Sequence, residues 1–411
     1  MREFKSIREL CSIVVDCPHS TPRWTKSGKI VVRNNNIKHG RIDFSSPSYT
    51  DEEHFEQRIK RAKPQPGDLI ITREAPIGDV GMVPENAECC LGQRMVLLRA
   101  DETVCDNFYL LYSLQSPYVQ HQISWSEGTG TTVSNLRIPH LEKIQIPYFP
   151  LEQQKRISSI LRSLEKRIEI NRMINDNLKL QIKEICTAWL TDFRPFGGHM
   201  PSSWVETPLS DIAEFISGYS YKGNELATSN IAMATIKNFD RNGGFKVDGY
   251  KEIIPSTKLK DSQHVSLFDT LVAHTDLTQN AEVIGNAELV MSKAQYEDIV
   301  FSMDLVKVLP KNCGVSKFLI AAILQDKRFK AHCLGYVNGT TVLHLSKKAL
   351  PEYRLYLPSN IDELKLLDNI ITALYKKIAS NISEITQLEL LRDSLLPKLM
   401  CGKIDISSVQ L

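Results

Sequence analysis

An apolar pattern with helical spacing marks the middle of the chain. Residues 151–191 contain no Gly or Pro, and apolar side chains recur at alternating steps of four and three residues. This spacing is typical of the seam of a coiled coil, along which two helices pack. The seam positions are Ile157, Leu161, Leu164, Ile168, Leu178, Ile182, Ile185 and Trp189, with Asn171 and Asn175 between them. The pattern predicts one helix of roughly 40 residues and about 60 Å.

The same seam recurs close to the end of the chain. Its positions are Leu367, Ile371, Leu374, Ile378, Asn381, Ile385, Leu388, Arg392, Leu395 and Leu399. Asn381 takes the place of Asn171, and a polar Asn at such a position lowers stability but fixes the register of the helices. We expect the two helices to pack antiparallel as a spacer between domains. The alternative is two separate amphipathic surface helices, although helices of globular proteins are usually much shorter.

The segments before each long helix have strand-like patterns. Residues 29–33, 68–72 and 94–99 are rich in β-branched and apolar residues and predict strands, whereas residues 107–124 have helical spacing. In the second half, residues 270–274 and 304–309 match the second and third of these strands. Each half therefore predicts a mixed, strand-rich domain that is followed by a long helix.

The second half of the chain repeats the first. Gly130-Thr131-Thr132-Val133 recurs as Gly339-Thr340-Thr341-Val342. A repeat of this length is a whole domain with its helix rather than a solenoid unit. We predict an α+β fold with pseudo-twofold internal symmetry, in which two similar domains are separated by an antiparallel two-helix coiled coil. The predicted divisions are 1–150 and 196–358 for the domains and 151–195 and 359–411 for the helices.

Composition narrows the cellular setting. The nine cysteines form no Cys-x-x-Cys pair, which favours a reducing cytoplasm. No leader-like apolar region follows Met1, and no stretch is long and apolar enough for a membrane span. The formal net charge of +2 neither requires nor excludes nucleic acid as a partner. If DNA is the partner, positive charge must be concentrated on one face.

Motifs for catalysis are missing from the sequence. It contains no phosphate-binding loop of the GxxxxGK[ST] type, no HExxH and no GxSxG. We therefore predict no catalytic residues, no cofactor and no metal. Asp68 and Glu74 could in principle be nuclease metal ligands, but alignment with Thr270 and Asp276 keeps no such pair, which favours a structural role.

Polar side chains at predicted strand ends are candidates for reading DNA. Asn can pair with adenine, and Arg with guanine, through two hydrogen bonds in the major groove. The candidates are Arg33, Asn34, Asn36, Lys38, Arg41, Arg73, Gln93 and Arg94 in the first half, and Lys237, Asn238, Arg241, His274 and Thr275 in the second. The alternative is ordinary polar loops, because Asn and Gly are common turn residues. The halves differ here while the flanking apolar residues match, as expected if loop ends set specificity.

A basic run at residues 58–63 has two interpretations. Arg58, Lys60, Arg61 and Lys63 could hold DNA phosphates and so add salt-dependent, sequence-blind affinity. They could equally form a solvated helix face paired with the acidic residues at 51–56.

The start of the first long helix resembles a known family. The features are the segment Ile144-Gln145-Ile146-Pro147-Tyr148-Phe149-Pro150-Leu151-Glu152-Gln153-Gln154, the helix after it and Trp189-x-x-Asp192-Phe193, and the end of the domain and the helix recur in weaker form. Together they resemble the specificity subunit of type I restriction–modification systems. The second helix departs from the pattern, because it begins Ile361-Asp362-Glu363 without Glu-Gln-Gln.

The resemblance implies a non-catalytic subunit with two target-recognition domains. Each domain would read one half of a split, asymmetric sequence in double-stranded DNA. The spacer helices would dock two methylation (M) subunits, and restriction (R) subunits would complete the nuclease. Methylation from S-adenosylmethionine would belong to those partners, which agrees with the missing cofactor motifs.

Other functions remain open on the sequence alone. One is a fused nuclease or methyltransferase whose site has no recognised motif. Another is the specificity subunit of a methylation-only or type II-like system. A third is a scaffold that uses its helices for protein assembly and never contacts bases.

Overall fold

A computed structural model of the chain describes residues 3–125, 135–241 and 243–404. Its contacts divide the chain into two units, residues 1–168 with 387–411, and residues 169–386. Each unit holds one strand-rich domain with parts of both long helices. The repeated segment at 130–133 lies outside the described residues, and the division into domains and helices by sequence number stays a prediction.

The first unit begins with short strands and ends with the last turns of the chain's final helix. Its strands are β1 (Phe4–Ser6), β2 (Cys11–Asp16), β3 (Trp24–Thr25), β4 (Lys29–Val32), β5 (Ile37–Lys38), β6 (Gly40–Ile42), β7 (Ser48–Thr50), β8 (Leu69–Thr72), β9 (Val80–Met82), β10 (Cys89–Leu91), β11 (Met95–Ala100) and β12 (Gln145–Pro147). Its helices are α1 (Ile7–Leu10), α2 (Glu52–Ile59), α3 (Asn107–Gln115), α4 (Pro117–Trp125), α5 (Ile138–Leu141) and the start of α6 (Leu151–Leu190).

Three sheets organise this unit. The largest has the order β2-β11-β8-β9-β6-β5, and the second has the order β10-β4-β7-β3. A small antiparallel pair, β1 with β12, joins the start of the domain to its end. Apolar residues of both larger sheets share one core, among them Val32, Ile70 and Leu97. A second core packs α3 and α4 against the start of α6, so the long helix is part of the domain's interior.

The helix predicted over residues 107–124 is two helices. Ser116 between α3 and α4 has extended backbone angles, with φ −65° and ψ 145°. Pro117 has no N–H to continue the helix and disfavours helical geometry in the residue before it. The break turns α4 away from α3 at this point.

The second unit repeats the arrangement. Its strands are β13 (Trp204–Pro208), β14 (Ala213–Ser217), β15 (Ile231–Ala234), β16 (Lys251–Glu252), β17 (Thr270–Ala273), β18 (Thr275–Asp276), β19 (Ala287–Leu289), β20 (Asp298–Phe301), β21 (Leu305–Pro310), β22 (Val337–Asn338), β23 (Leu343–Leu345) and β24 (Arg354–Pro358). Its helices are α7 (Leu209–Ile212), α8 (Lys317–Leu324), α9 (Lys327–Leu334) and most of α10 (Lys365–Met400), which a 3₁₀ turn, Ile361–Leu364, precedes.

The central strands of the sheets correspond between the two units, whereas the edge strands β5, β6, β18, β22 and β23 differ. The order β14-β21-β17-β19 matches β2-β11-β8-β9, and β13 pairs with β24 as β1 pairs with β12. The parallel pair β15 with β20 matches the parallel pair β4 with β10. The predicted internal repeat is therefore confirmed at the level of strand pairing.

The two long helices run antiparallel where they meet. In the second unit, Asn381 donates its side-chain N–H to Oδ1 of Asn175 at 2.8 Å. Further along α6, Cys186 shares a core with Tyr375, which lies earlier on α10. In the first unit the start of α6 shares a core with the end of α10. The coiled-coil prediction is confirmed, and the alternative of two separate surface helices is wrong.

Burial along the seam follows the prediction with a small drift. The buried seam positions are Ile157, Leu161, Ile168, Asn171, Ile182, Leu367, Ile371, Ile378, Asn381 and Leu399. The half-buried ones are Leu164, Leu178, Ile185, Trp189, Leu374, Ile385, Leu388, Arg392 and Leu395. Cys186 and Tyr375 are buried where the pattern assigned Ile185 and Leu374. A straight helix has 3.6 residues per turn, so its buried face drifts against a strict heptad.

The α+β class with two similar domains and a pair of long antiparallel helices is thus confirmed. Among the residues that the structure describes, no helix is long and apolar enough to cross a membrane.

Candidate nucleic-acid interface

Several strand ends of the first domain meet at one place. Asn34 donates its side-chain N–H to the backbone oxygens of Glu74 and Ala75, at 2.5 and 3.2 Å. Arg94 forms an ion pair with Glu74, with Nε and Oε2 3.0 Å apart. Gln93 donates to the backbone oxygen of His19 at 2.7 Å. The segments that follow β2, β4, β8 and β10 therefore lie together, as a reading surface built from strand ends requires.

Arg73 lies within this cluster, but its side chain is only 11% exposed. The guanidinium donates to both carboxylate oxygens of Asp16 at 2.8 Å, to the backbone oxygen of Leu136 at 2.9 Å and to Asn135 at 3.2 Å. Its donors are thus directed into the protein. These contacts favour Arg73 as a residue that holds the loops together, and its assignment as a base reader stays a prediction.

Asn36 and Asn238 use their side-chain amides to build turns, and their assignment as base readers stays a prediction. Asn36 accepts a hydrogen bond from the N–H of Arg33 at 2.9 Å and donates to the backbone oxygen of Asp43 at 3.0 Å. Asn238 makes the same two bonds, with the N–H of Thr235 at 2.8 Å and the oxygen of Lys246 at 2.7 Å. Both amides are buried inside matching 3₁₀ turns, Asn34–Asn36 and Ile236–Asn238. The side-chain oxygen and the side-chain N–H of each asparagine are both bonded within the protein. Neither amide is therefore directed outward.

Exposed cations remain around the cluster. The Arg33 guanidinium lies 5.2 Å from the centre of the Trp24 ring, which is itself 47% exposed. Lys38 contacts Asp43 at 3.3 Å, and the side chains of Lys38 and Arg94 are 61% and 58% exposed. Arg41 is also exposed. These side chains have the reach and charge to contact a DNA backbone or base edge.

The basic run at 58–63 is divided, because Arg58 is buried whereas Lys60, Arg61 and Lys63 are exposed. Arg58 is buried and donates to the backbone oxygens of Leu91, Ser20 and Pro18 at 2.7, 2.9 and 3.2 Å. Burial lowers the pKa of its guanidinium. Lys63 pairs with Glu88 at 2.7 Å rather than with the acidic residues at 51–56. Arg58 therefore ties the loop after β2 and the end of β10 to α2.

The second domain places different side chains on the same backbone frame. The N–H of Leu136 donates to the oxygen of Arg73 at 3.0 Å, and the N–H of Leu345 donates to the oxygen of His274 at 2.9 Å. Arg73 thus corresponds to His274, and the residue before each leucine, Asn135 or His344, lies beside it. The two domains share this backbone hydrogen bond, whereas the side chains beside it differ.

Thr275 and His344 occupy the positions of Glu74 and Asn135. Glu74 accepts from Asn135 at 2.8 Å, whereas the hydroxyl oxygen of Thr275 lies 3.5 Å from Nδ1 of His344. Thr275 is buried, whereas the His344 side chain beside it is exposed, and the assignment of Thr275 as a direct reader stays a prediction. Sequence reasoning missed His344, although it directly precedes the leucine that aligns with Leu136.

The other candidates of the second domain divide in two. Lys237 and Arg241 are exposed, and Arg241 forms an ion pair with Glu282, with Nε and Oε2 3.0 Å apart. His274 is half-buried, and burial, together with the charges of His344 and Lys347, lowers its pKa. His274 is therefore neutral at neutral pH, and Lys237, Arg241 and His344 supply the exposed donors.

The carboxylates considered as nuclease ligands have structural partners. Asp68 accepts two hydrogen bonds from Arg99, both at 2.8 Å. Its structural counterpart is Asp269 rather than Thr270, because Val83 and Val290 donate to the two matching backbone oxygens. Asp269 lies 3.6 Å from the Lys307 ammonium. Both domains thus keep a buried carboxylate–cation pair, and within the described ranges no group of three His, Cys, Asp or Glu is arranged to hold a metal ion.

Comparison with known proteins gives a consistent result. Residues 3–180 match the family described as the type I restriction modification DNA specificity domain. The type I restriction enzyme MjaIX specificity subunit of Methanocaldococcus jannaschii is 22% identical over 363 residues, which cover 84% of this chain and 79% of that protein. The MjaVIII specificity subunit of the same organism is 23% identical over 334 residues, which cover 78% and 75%.

A solved structure shares the fold. The crystal structure of a type I restriction–modification system S subunit from M. genitalium matches with a TM-score of 0.51 at 18% identity, over 97% of this chain and 95% of that one. The relatives are named as specificity subunits, and the prediction of a specificity subunit rather than a catalytic one is confirmed. Residues 3–180 thus match the type I DNA specificity domain, and the chain as a whole is similar to the specificity subunits of type I restriction–modification systems.

Proposed function

We propose that this chain reads a bipartite, asymmetric sequence in double-stranded DNA, with one domain for each part. The observation that carries the proposal is the pair of matching strand ends. Leu136 and Leu345 make the same backbone bond in the two domains, but the side chains around it differ. One backbone frame with two sets of exposed donors is what two independent base-reading surfaces require.

The first domain would present Arg33, Lys38, Arg41 and Arg94, and the second Lys237, Arg241 and His344. Ion pairs with Glu74 and Glu282 hold Arg94 and Arg241 in defined positions. Preorganised guanidinium groups suit bidentate contacts with guanine. Asn34 and Gln93, whose side chains bind backbone oxygens, would then shape the loops rather than contact bases.

Methylation subunits would dock on the long helices, and restriction subunits would join the complete enzyme. An apolar stripe on α6 supports this part, since Ile170, Met173, Ile174 and Leu180 are between about 40% and two-thirds exposed. Apolar side chains left in water on a helix face mark protein contact sites. Met173→Glu should weaken co-purification with the cognate methylation subunit by about tenfold or more, whereas Lys183→Glu on the same helix should not.

Exchange of one domain tests the bipartite reading. Residues 1–150 would be replaced by the equivalent domain of a type I specificity subunit with a different target, and methylated sites would be mapped in cells that also hold the methylation subunits. We expect one part of the target to change and the other to stay. A change in both parts, or in neither, contradicts the proposal. A cytoplasmic location, where the DNA and these partners lie, is part of the same proposal.

A further inference from the structure

Each domain is joined to its long helix by a polar pair whose members are exchanged between the units. In the first unit, Ser158 of α6 donates its hydroxyl to Oδ1 of Asp106 at 2.5 Å. In the second unit, the carboxylate is on the helix, and Asp368 of α10 accepts the hydroxyl of Ser316. Asp106 and Ser316 are both N-caps, of α3 and α8. The domain contributes the carboxylate in one unit and the hydroxyl in the other.

The exchange occurs at equivalent positions of the repeat. The offset along the chain from Asp106 to Ser316 is the same as that from Ser158 to Asp368. The backbone N–H of each cap is bonded as well, by Oε1 of Gln154 in the first unit and by Oδ2 of Asp368 in the second, both at 2.9 Å. We call this arrangement the capping latch.

A second exchanged pair lies further along each helix. Tyr112 of α3 donates its hydroxyl to Glu165 of α6 at 2.9 Å. In the second unit the phenol is on the long helix, where Tyr375 donates to Gln325 of the domain at 2.7 Å. Glu165 and Tyr375 occupy equivalent positions, at the same offset as the capping latch. We call this pair the phenol latch.

Packing alone does not account for two polar latches in an apolar setting. The cores around them already bury Ile157 and Leu161 in the first unit, and Leu367 and Ile371 in the second. Apolar packing decides which face of a helix is buried and sets its general orientation. Hydrogen bonds to a carboxylate are short and directional. The latches therefore add a directional restraint on the angle between a domain and its helix to the packing of the core.

We propose that the capping and phenol latches are positioning residues that set the angle of each recognition domain on its spacer helix, and so select the number of base pairs between the two parts of the target. This inference rests on the proposed function, because it concerns how a bipartite target is measured. No latch residue contacts a base in this account. Loss of a latch should leave base preference intact and relax only the preferred gap.

The first experiment reads the latch without DNA. Genetically encoded spin labels at Glu102 of the domain and Lys166 of α6, both exposed, would report their distance distribution in the full chain by pulsed electron resonance. We expect Ser158→Ala combined with Tyr112→Phe to broaden that distribution clearly. Ser163→Ala, which removes an exposed hydroxyl of the same helix, should leave it unchanged.

An exchange variant separates bonding from folding. Asp106→Ser with Ser158→Asp gives the first unit the arrangement of the second. We expect its distance distribution to be as narrow as that of the wild type. If the Ser158→Ala and Tyr112→Phe variant stays as narrow as the wild type, the latches do not set the angle and the inference is overturned.

The second experiment measures gap length. The chain with its methylation subunits would be tested on targets whose gap is shortened or lengthened by one base pair. We expect the preference of the wild type for one gap to fall by about tenfold in the latch variant, with base preference unchanged. An unchanged gap preference beside a broadened distance distribution overturns the role in DNA reading. A wild type without any sequence preference refutes the proposed function, whereas the spin-label result then still decides whether the latches fix the angle.

Discussion

The two strand-rich domains share their framework and differ in the side chains at its strand ends. Asn36 and Asn238 close the same turn with the same two bonds. Asp68 and Asp269 are buried against a cation at the same place in the sheet. These positions show which polar groups the fold needs, because both domains keep them.

The strand ends give the opposite result. Arg73 in the first domain uses its guanidinium to bind Asp16 and two loop residues, whereas His274 at the same place has a half-buried ring with a lowered pKa. Glu74 with Asn135 becomes Thr275 with His344. A side chain at a loop end that differs between the domains can therefore still have a structural role. A residue that contacts bases specifically must both differ between the domains and be exposed.

The largest expected effect is a difference in stability between variants of the aligned residues Arg73 and His274. Arg73→Ala removes the partner of the half-buried Asp16 carboxylate and should lower the free energy of unfolding of the first unit by about 3–5 kcal/mol. His274→Ala should cost less than about 1.5 kcal/mol, because its ring holds no such partner. Urea unfolding followed by circular dichroism measures both. Equal costs would contradict the division between a structural and a variable position.

The helix seam predicts the next largest effect. Ile168 and Ile378 are buried, and replacement of either with Ala should cost about 2–5 kcal/mol. Leu164 and Leu374 are half-buried, so Ala at either position should cost about 1–2 kcal/mol. Urea unfolding of the four single variants gives the ranking. If Leu164→Ala proved as costly as Ile168→Ala, the drift of the buried face along the helix would be wrong.

The turn asparagines predict a matched, smaller effect. Asn36→Ala and Asn238→Ala each leave a partly or fully buried N–H and a partly buried carbonyl without that partner, so each should cost about 1–3 kcal/mol. The exposed neighbour Asn35 is the control, and Asn35→Ala should change stability by less than about 0.5 kcal/mol. A large difference between the two buried asparagines would mean that the turns are not equivalent.

The smallest effect is a difference in pH dependence. Burial lowers the pKa of His274 below its ordinary value of 6.5, so the unfolded state binds the proton more readily than the folded state. The contribution of a neutral His274 to stability is therefore present above pH 6.5 and is lost as the pH falls through the lowered pKa. We expect His274→Gln to reduce the loss of stability between pH 7.5 and 5.5, as measured by urea unfolding at both values. A steeper loss in the variant would reverse the sign of the argument.

Local pattern was enough to predict the helices, the main strands and the repeat. A seam such as Ile157 to Ile168 is written in the spacing of its own residues. The half-buried state of Leu374 depends on the drift of a real helix against a heptad, which spacing alone does not give. Pro117 disfavours a helical conformation in the residue before it and so indicates a break in residues 107–124. The apolar residues on both sides keep helical spacing, and that spacing alone predicts a single helix.

The site was harder to predict because its contacts are distant in sequence. Arg73 follows a strand as a reader would, but its partner Asp16 lies on another strand, and nothing local brings the two together. Asn36 has the side chain of a base reader and uses it on Asp43. His344 could have been found by placing Leu345 against Leu136, which aligns it with Asn135.

In our proposal, one shared backbone arrangement presents two independent sets of base-reading side chains. Variants of Arg94 and His344 separate the two sets. Both are exposed, one in each domain. The chain with its methylation subunits would select bound sequences from randomised DNA as the wild type, as Arg94→Ala and as His344→Ala. We predict that each variant changes base preference in one part of the target and leaves the other part as in the wild type. A variant that alters both parts, or two variants that alter the same part, would contradict the account.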